Sequence, residues 1–464
     1  MRFQWFFPLL GLSLSLSAAP AFAWDAHHVL TTHTVFGLKT ASPALWRQLN
    51  EPVTVVPIES FIANAFGEKC DWGTFKETVL DGVGRNYEVL YTDGVDFALE
   101  YEWARGISRQ RIFPHSAPGA GPLAVGRTPK AIDVLSTYSD EPDWGMDDDV
   151  PRLQHKGLSK DSEGTATRVL RHFWYKGEEE WGVDFGQDQE TDARAQLYYE
   201  LALVAFATGE PYWGYRFLSN ALHYIQDMTQ PFHTKAMIGG LVNKLSIFRA
   251  KLCEWHPGGA NCTPDLTIEQ QVIKNSWVVG AYHGAYENFA RGLASPHSSF
   301  ASWSYLSDTN QYYEKYQPVE NLPWTSGISP LIDFRIVIPA EQAATNAFAD
   351  DVGDGSFEAF GFKIKYELEA TQKAVLESGK DSSEPYRIAT LWRNGWGLEQ
   401  MTRRQEHAVQ PLVDKTNQLF IRTGIWGRQF LQKALESLKD EKTLRAIAER
   451  RETFRKKCGS PPSA

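Results

Sequence analysis

The sequence predicts an all-α fold, in which one mostly helical domain occupies residues 24–464 and carries long loop insertions. Two observations support this prediction. Apolar side chains recur at helical spacing over several long segments, and glycine or proline residues stand at the ends of some of them. Sustained apolar–polar alternation with a period of two, which is typical of strands, is scarce, and its exceptions are as short as Phe334 to Ile338.

Four segments have the strongest helical pattern, and the first two are bounded by residues that disfavour helix continuation. Gly209 ends the first segment, Pro211 leads into the second, and Pro231 follows its end. The predicted helices are, in chain order, 191–208, 212–228, 268–292 and the charged C-terminal stretch 427–456.

Other ranges are predicted to be insertions or to complete the core. Gln418 to Leu431 has the apolar spacing of a packing helix. Insertions are expected at about 73–165 and about 310–400. The acidic run 350–356 lacks the spacing and terminal Glu of an EF-hand, so we expect a solvated loop there.

The first 23 residues have the features of a secretory leader. An apolar run follows Arg2 and ends in Ala21-Phe22-Ala23, an A-x-A cleavage signal. The run is too short to span a bilayer, and the sequence has no other uninterrupted apolar stretch of about 18 residues, so we expect no transmembrane segment. Cleavage between Ala23 and Trp24 would give a secreted or periplasmic protein that begins at Trp24.

Charge and cysteine content narrow the classes of function. The formal net charge of −10 argues against sequence-independent nucleic-acid binding through a basic surface. The four cysteines are few for a disulfide scaffold, although export permits bond formation. Cys253 and Cys262 bracket a turn-rich loop that a disulfide could close, which leaves Cys70 and Cys458 as a long-range pair. None of the four has CxxC spacing, so we expect no thiolate zinc site.

The strongest chemical signal is the segment HYIQDMTQPFH, which runs from His223 to His233. His223 and Asp227 are four residues apart on a predicted helix, so they project from one face, as two ligands of one metal must. His283 and Glu287 repeat this arrangement on the third predicted helix. A single pair of this kind is commonly an ordinary hydrogen bond, but two pairs and a histidine beyond a helix-breaking proline favour a metal site. Neutral imidazole and carboxylate suit zinc.

This pattern resembles the bacterial zinc-dependent phospholipases C, which share a fold with the fungal-type zinc single-strand nucleases. The family pattern has a mature N-terminal Trp, an early His and Asp, a His in an HFWD-like segment, H-Y-x-x-D-x-x-x-P-x-H, and a late H-x3-E. Here Trp24 follows the predicted cleavage site and His172 lies in Arg-His-Phe-Trp-Tyr. The match covers scattered positions from 24 to 289. It departs from the family at Tyr175, where HFWD has Asp, and in a long insertion between His233 and His283.

The resemblance implies three zinc ions per chain, two of which share Asp227 as a ligand. One set is Asp143, His172, His223 and Asp227; the second is Trp24, through its free amine and carbonyl, a histidine of the first helix and the bridging Asp227; the third is His233, His283 and Glu287.

Two of these positions have alternatives. The histidine of the first helix is assigned to His27, and His28 is the alternative. The early aspartate is assigned to Asp143, for which Asp140 or Asp147 could substitute.

The resemblance also implies a function. It is that of a zinc-dependent phospholipase C, which hydrolyses the phosphodiester of phospholipids such as phosphatidylcholine to diacylglycerol and a phosphorylated head group. Asp143 would be the catalytic carboxylate that receives or orients the proton of the attacking water. Glu287, where the nucleases have Asp, and the acidic charge balance favour phospholipid over nucleic acid.

Two other functions remain alternatives. One is an exported zinc-dependent single-strand nuclease or phosphoesterase, and the other is a non-catalytic helical protein that binds zinc or lipid. For the phospholipase C, the expected partner is a phospholipid substrate at a membrane surface. No nucleic-acid partner is expected, and the chain is expected to be a monomer.

Overall fold

The computed structural model describes part of the chain and shows a mostly helical architecture there, which confirms the all-α prediction. The described residues are 27–80, 125–144, 172–177, 179–180, 183–184, 189–236, 282–287, 289–290, 292–294, 305, 318–378 and 403–459. Several sequence-based expectations lie outside these residues: the leader, Trp24, Asp147, Cys253 and Cys262, the range 268–281 and most of 73–165.

The secondary-structure elements are numbered in chain order within the described residues. The helices are α1 (His27–Ala41), α2 (Pro43–Leu49), α3 (Ile58–Phe66), α4 (Trp72–Thr78), α5 (Ala131–Tyr138), α6 (Thr191–Ala207), α7 (Pro211–Asp227), α8 (Pro231–Thr234), α9 (Phe334–Ser378), α10 (Arg403–Ser437) and α11 (Glu441–Cys458). A short 3-10 helix spans Glu141–Trp144, and residues 282–287 are also helical. Strands β1 (Glu179–Glu180) and β2 (Val183–Asp184) pair in antiparallel fashion.

Helices α6 and α7 confirm the first two predicted helices. Gly209 adopts a φ of 80° after α6, a left-handed conformation that favours glycine and ends a helix. Pro211 occupies the first turn of α7, where its missing N–H costs no helical hydrogen bond. The predicted bounds of the helix that carries His223 and Asp227 therefore differ from the observed ones by one residue at each end.

The short period-two alternation at Phe334 to Ile338 does not form a strand, because these residues form the first turns of α9. Phe334, Val337 and Ile338 are fully buried. Their spacing of three and four residues is that of one helix face, which so short a segment does not distinguish from a strand. The run 350–356, predicted to be a loop, belongs to the same helix.

The predicted C-terminal helix 427–456 is two helices, α10 and α11. Asp440 divides them, since its carboxylate accepts a hydrogen bond of 2.8 Å from the backbone N of Thr443 and caps the start of α11. The packing helix predicted at Gln418 to Leu431 lies within α10, where Phe420, Trp426 and Phe430 are fully buried.

Helix α7 is the centre of the described fold. Every residue from Tyr212 to Asp227 is buried, because α7 packs against α1, α5, α6 and α10. Helix α10 also packs closely against α1 at Gly427, where an added Cβ would lie 2.9 Å from Cγ2 of Thr34. The polar residues of α7 therefore face other protein groups rather than solvent.

A disulfide between Cys70 and Cys458 confirms the predicted long-range pair, with the two Cα atoms 5.4 Å apart at a sequence separation of 388. Nearby, Arg451 of α11 donates to the backbone carbonyls of Asn64 and Ala65 at the end of α3. An arginine at this place satisfies carbonyls that lack helical partners.

None of the described helices has the length and apolar composition of a membrane-spanning segment.

Candidate metal centre

The C-terminal end of α7 carries the first pair of candidate ligands. His223 and Asp227 lie one turn apart, with Nε2 of His223 3.2 Å from Oδ2 of Asp227. Both side chains are completely buried. A histidine and a carboxylate with this spacing can bind one ion from the same helix face.

Two further histidines reach this pair from other parts of the chain. His27, the first residue of α1, places its Nε2 3.3 Å from Oδ1 of Asp227. His172 places its Nδ1 3.0 Å from Oδ2 of Asp227 and 2.9 Å from Nε2 of His223. One ligand atom each from His27, His223 and Asp227 lie within 4.8 Å of one another, so this group could hold a metal ion.

A second group lies on α8 and in the helical residues 282–287. His283 Nε2 is 2.6 Å from Oε1 of Glu287, one turn further along the same helical segment. His233 Nε2 is 3.0 Å from His283 Nε2 and 3.5 Å from the same Glu287 oxygen. All three residues are buried, and their ligand atoms also lie within 4.8 Å of one another.

The two groups are in contact with each other. Nδ1 of His233, in the second group, lies 3.5 Å from Oδ1 of Asp227, in the first group. Residues that are far apart in sequence thus line one continuous buried site that could hold more than one ion.

The imidazoles of the first group are oriented by acceptors behind them. Nδ1 of His223 donates to the carbonyl of Ser139 at 2.7 Å, and Nδ1 of His27 contacts Oε1 of Gln226 at 2.7 Å. The Gln226 amide nitrogen in turn donates to Thr31, which directs its oxygen toward His27. Because these oxygens only accept, Nδ1 carries a proton on both rings, and Nε2, on the side of Asp227, is the nitrogen left for a metal ion.

The second group has the same kind of support. Nδ1 of His233 donates to the backbone carbonyl of His172 at 2.9 Å, which leaves its Nε2 toward His283 and Glu287. Gln230 orients the carboxylate, since its amide nitrogen is 3.4 Å from Oε1 of Glu287 while its oxygen caps α8 at the N of Phe232. Sequence reasoning missed Gln230, although it lies inside the central motif.

Tyr175, where the sequence departs from the HFWD pattern, also supports α8. Its hydroxyl donates to the carbonyl of Phe232 at 2.7 Å, one residue before His233. The departure therefore exchanges a carboxylate for a hydrogen bond that fixes the backbone beside a candidate ligand.

The protonation states suit metal binding. Burial alone would raise the pKa of Asp227, but His223 and His233 and the hydrogen bond from His172 hold that pKa well below its ordinary value. Burial lowers the pKa of His283 to about 3, and it also lowers the pKa of His233. At neutral pH the site thus offers an ionised carboxylate at Asp227 and neutral imidazoles at His233 and His283, the forms that bind metals.

The structure describes some of the alternatives for the first-helix histidine and for the early aspartate. The backbone of Asp143 lies in the 3-10 helix Glu141–Trp144, but its side chain is outside the described structure. Asp140 accepts hydrogen bonds from the backbone N of His28, at 2.9 Å, and from its ring Nδ1. The structure therefore brings His27 to Asp227 and pairs His28 with Asp140.

Helix α7 also holds the segment that carries these aspartates. Arg216 forms a fully buried ion pair with Glu141, and its guanidinium lies 4.1 Å from the centre of the Tyr138 ring. Asn220 donates to the carbonyl of Tyr138 at 3.1 Å. Together with the bond from His223 to Ser139, these contacts attach residues 138–141 to the helix that carries two of the ligands.

The donor set suits a divalent first-row metal. Within the described residues it consists of five imidazoles and two carboxylates, with no thiolate, and such ligands bind zinc and its neighbours. Trp24, the remaining ligand that the resemblance implies, lies outside the described residues, and so does the side chain of Asp143.

Comparisons with known proteins found no significant match to this chain among protein-family models, curated proteins or solved structures.

Proposed function

We propose that this chain is an exported zinc-dependent phosphodiester hydrolase, a phospholipase C that acts on phospholipids such as phosphatidylcholine. The observation that carries the proposal is the contact between two buried imidazole–carboxylate groups, 3.5 Å apart at Asp227 and His233. Several cations held side by side can bind a phosphodiester and stabilise the charge that develops on it in the transition state.

The residues divide into those that hold zinc and those that move a proton. His27, His223 and Asp227 would hold one part of the centre, with His172 beside them, and His233, His283 and Glu287 would hold the other. Zinc supplies Lewis acidity toward a phosphoryl oxygen. The proton of the attacking water passes to a carboxylate, which the family resemblance assigns to Asp143.

The chain's own residues prepare the site before substrate binds. The backbone and amide acceptors behind His27, His223 and His233 fix which ring nitrogen is protonated. The burial of these side chains excludes bulk water from the ligands and strengthens their interaction with cations.

The choice of a lipid substrate depends on two features. The last pair ends in Glu287 rather than Asp, and the net charge of −10 disfavours a polyanionic nucleic acid. A phospholipid presents a single phosphodiester, so it does not require an extended basic surface.

The direct test is to purify the mature chain 24–464 and measure zinc by mass spectrometry together with hydrolysis of phosphatidylcholine, sphingomyelin and single-stranded DNA. We expect about three zinc ions per chain, turnover of phosphatidylcholine, loss of turnover with chelator and recovery with added zinc. Cleavage of DNA alone would identify the nuclease alternative. Bound zinc without turnover of any substrate would identify the non-catalytic alternative.

A second test concerns the leader. If the free amine of Trp24 is a ligand, one residue added ahead of Trp24 should lower the zinc content by about one ion and reduce turnover. The same residue added after Ala464 is the control and should change neither quantity. Unchanged zinc content and rate in the N-terminally extended chain would contradict a role for the Trp24 amine.

A further inference from the structure

The turn from 228 to 234 joins a candidate ligand of each group, Asp227 before it and His233 within it. The shape of this turn sets the distance of 3.5 Å between Oδ1 of Asp227 and Nδ1 of His233. Helix α7 ends at Asp227, so carbonyl groups in the turn lack the partners that a continuing helix would supply. Since the turn is buried, those carbonyls need donors from elsewhere in the protein.

Helix α9 supplies two of these donors. The hydroxyl of Thr345 donates to the carbonyl of Met228 at 2.7 Å, directly after Asp227. The side-chain amide of Gln342 donates to the carbonyl of Thr234 at 3.2 Å, directly after His233. The same amide also lies 3.3 Å from the carbonyl of Lys176. One helix thus holds both ends of the turn through side chains three residues apart.

Helix α10 supplies a third contact. The hydroxyls of Thr423 and Thr229 share a hydrogen bond of 2.7 Å in the middle of the turn, and both residues are fully buried. Thr229 also donates to the carbonyl of Gln226, the residue that orients His27. The turn is therefore held at its start, middle and end by helices from the C-terminal part of the chain.

We propose that Gln342 and Thr345 are positioning residues that set the metal affinity of the centre by fixing the 228–234 turn. The proposal rests on the metal site of the proposed function. Loss of either contact leaves a buried carbonyl without its donor, and the backbone on one side of the Asp227–His233 contact can then shift. Groups that orient metal ligands typically change metal affinity 10- to 100-fold when they are removed.

The test compares zinc affinity in Gln342→Met and Thr345→Val with that in two matched controls. Gln196→Met removes a glutamine that contacts the first residue of α9, Phe334, and Ile332 just before it, more than two helical turns ahead of Gln342. Thr208→Val removes a threonine hydroxyl that bonds to Val204 at the end of α6, away from the turn.

The zinc dissociation constant is measured by competition with a chromophoric chelator, and folding is followed by circular dichroism. Relative to wild type, we expect the dissociation constant to rise about 10- to 100-fold in both α9 variants. It should stay within about twofold in both controls, and Thr345→Ser, which keeps the hydroxyl, should restore the wild-type value.

The outcomes separate this proposal from the proposed function. Unchanged zinc affinity in both α9 variants would overturn the positioning role while leaving the hydrolase intact, and so would equal weakening in the controls. Failure of the wild-type chain to bind zinc would overturn both. If an α9 variant does not fold, Thr423→Val tests the same turn from α10, with the same expected loss of affinity.

Discussion

At the end of α7 the carboxylate of Asp227 faces the imidazoles of His27, His172, His223 and His233 at distances from 3.0 to 3.5 Å. A carboxylate has two oxygens and can contact two ions at once. An ionised group buried so completely is costly without opposite charge or hydrogen bonds nearby. The side chain is therefore placed to be shared between the two halves of the centre.

The two adjacent histidines of α1 give a prediction at the residue scale. His27→Gln should remove about one zinc ion per chain and lower turnover at least 10-fold, because Nε2 of His27 faces Asp227. His28→Gln should retain zinc, because His28 is paired with Asp140. Zinc analysis and phosphatidylcholine hydrolysis of the two variants check this.

The His28→Gln variant should instead lose stability. Burial would raise the pKa of Asp140, but its contacts with His28 hold that pKa below its ordinary value. Removing His28 should therefore cost about 1–3 kcal/mol of unfolding free energy. A loss of zinc in His28→Gln with full zinc in His27→Gln would reverse the assignment.

At the scale of residues, helical spacing predicted the ligand pairs, and the family resemblance implied how they group. His223 with Asp227, and His283 with Glu287, follow from helical spacing, which places residues four apart on one face. The convergence of His27 and His172 on Asp227 depends on helix packing, which local patterns do not encode, and only the family resemblance implied it. Gln230 and Tyr175 act through hydrogen bonds to the backbone of α8 and to Glu287, so no ligand motif marks them.

Helix α9 leads to a prediction at the scale of one element. Glu341 lies beside Gln342 and is fully buried, and among the described residues neither of its carboxyl oxygens has a hydrogen-bond partner. Burial raises the pKa of Glu341 well above its ordinary value of 4.5. The folded state therefore keeps a proton that the unfolded state releases, and stability falls as the pH rises above 4.5 toward the folded-state pKa.

Replacement of this carboxyl by an apolar side chain should remove that pH dependence. Glu341→Met should raise the unfolding free energy by roughly 1–3 kcal/mol at pH 8, and the gain should shrink toward pH 4. Urea unfolding of the metal-free chain at both pH values measures it, with Glu449→Met on the exposed face of α11 as the control. A gain that is equal at both pH values would contradict a protonated Glu341.

Errors in the predicted elements have physical causes. The five residues from Phe334 to Ile338 are too few to distinguish a buried helix face from a strand. The break between α10 and α11 had a signal, Asp440, since aspartate is a preferred N-cap residue, but the continuous charged pattern around it favoured one helix. By contrast, Gly209 and Pro211 act on their own backbone, which is why α6 and α7 were predicted well.

At the scale of the whole molecule, the Cys70–Cys458 bond restrains the unfolded chain more than the folded one. Replacing both cysteines by serine should lower the unfolding free energy by about 2–5 kcal/mol, because the bond closes a loop across 388 residues. Zinc content should be unchanged, since neither cysteine belongs to the ligand groups. Urea unfolding with zinc analysis checks both statements.

The same bond gives the protein a covalent ring. All candidate ligands from Asp143 to Glu287 lie on the ring, whereas Trp24 and His27 lie on the tail that precedes it. A protease that cuts the backbone once between Cys70 and Cys458 opens the ring but releases no fragment. Under denaturing conditions a nicked molecule therefore stays in one piece until a reductant is added, whereas a single cut between His27 and Cys70 leaves the tail and its ligands without a covalent link to the rest of the chain.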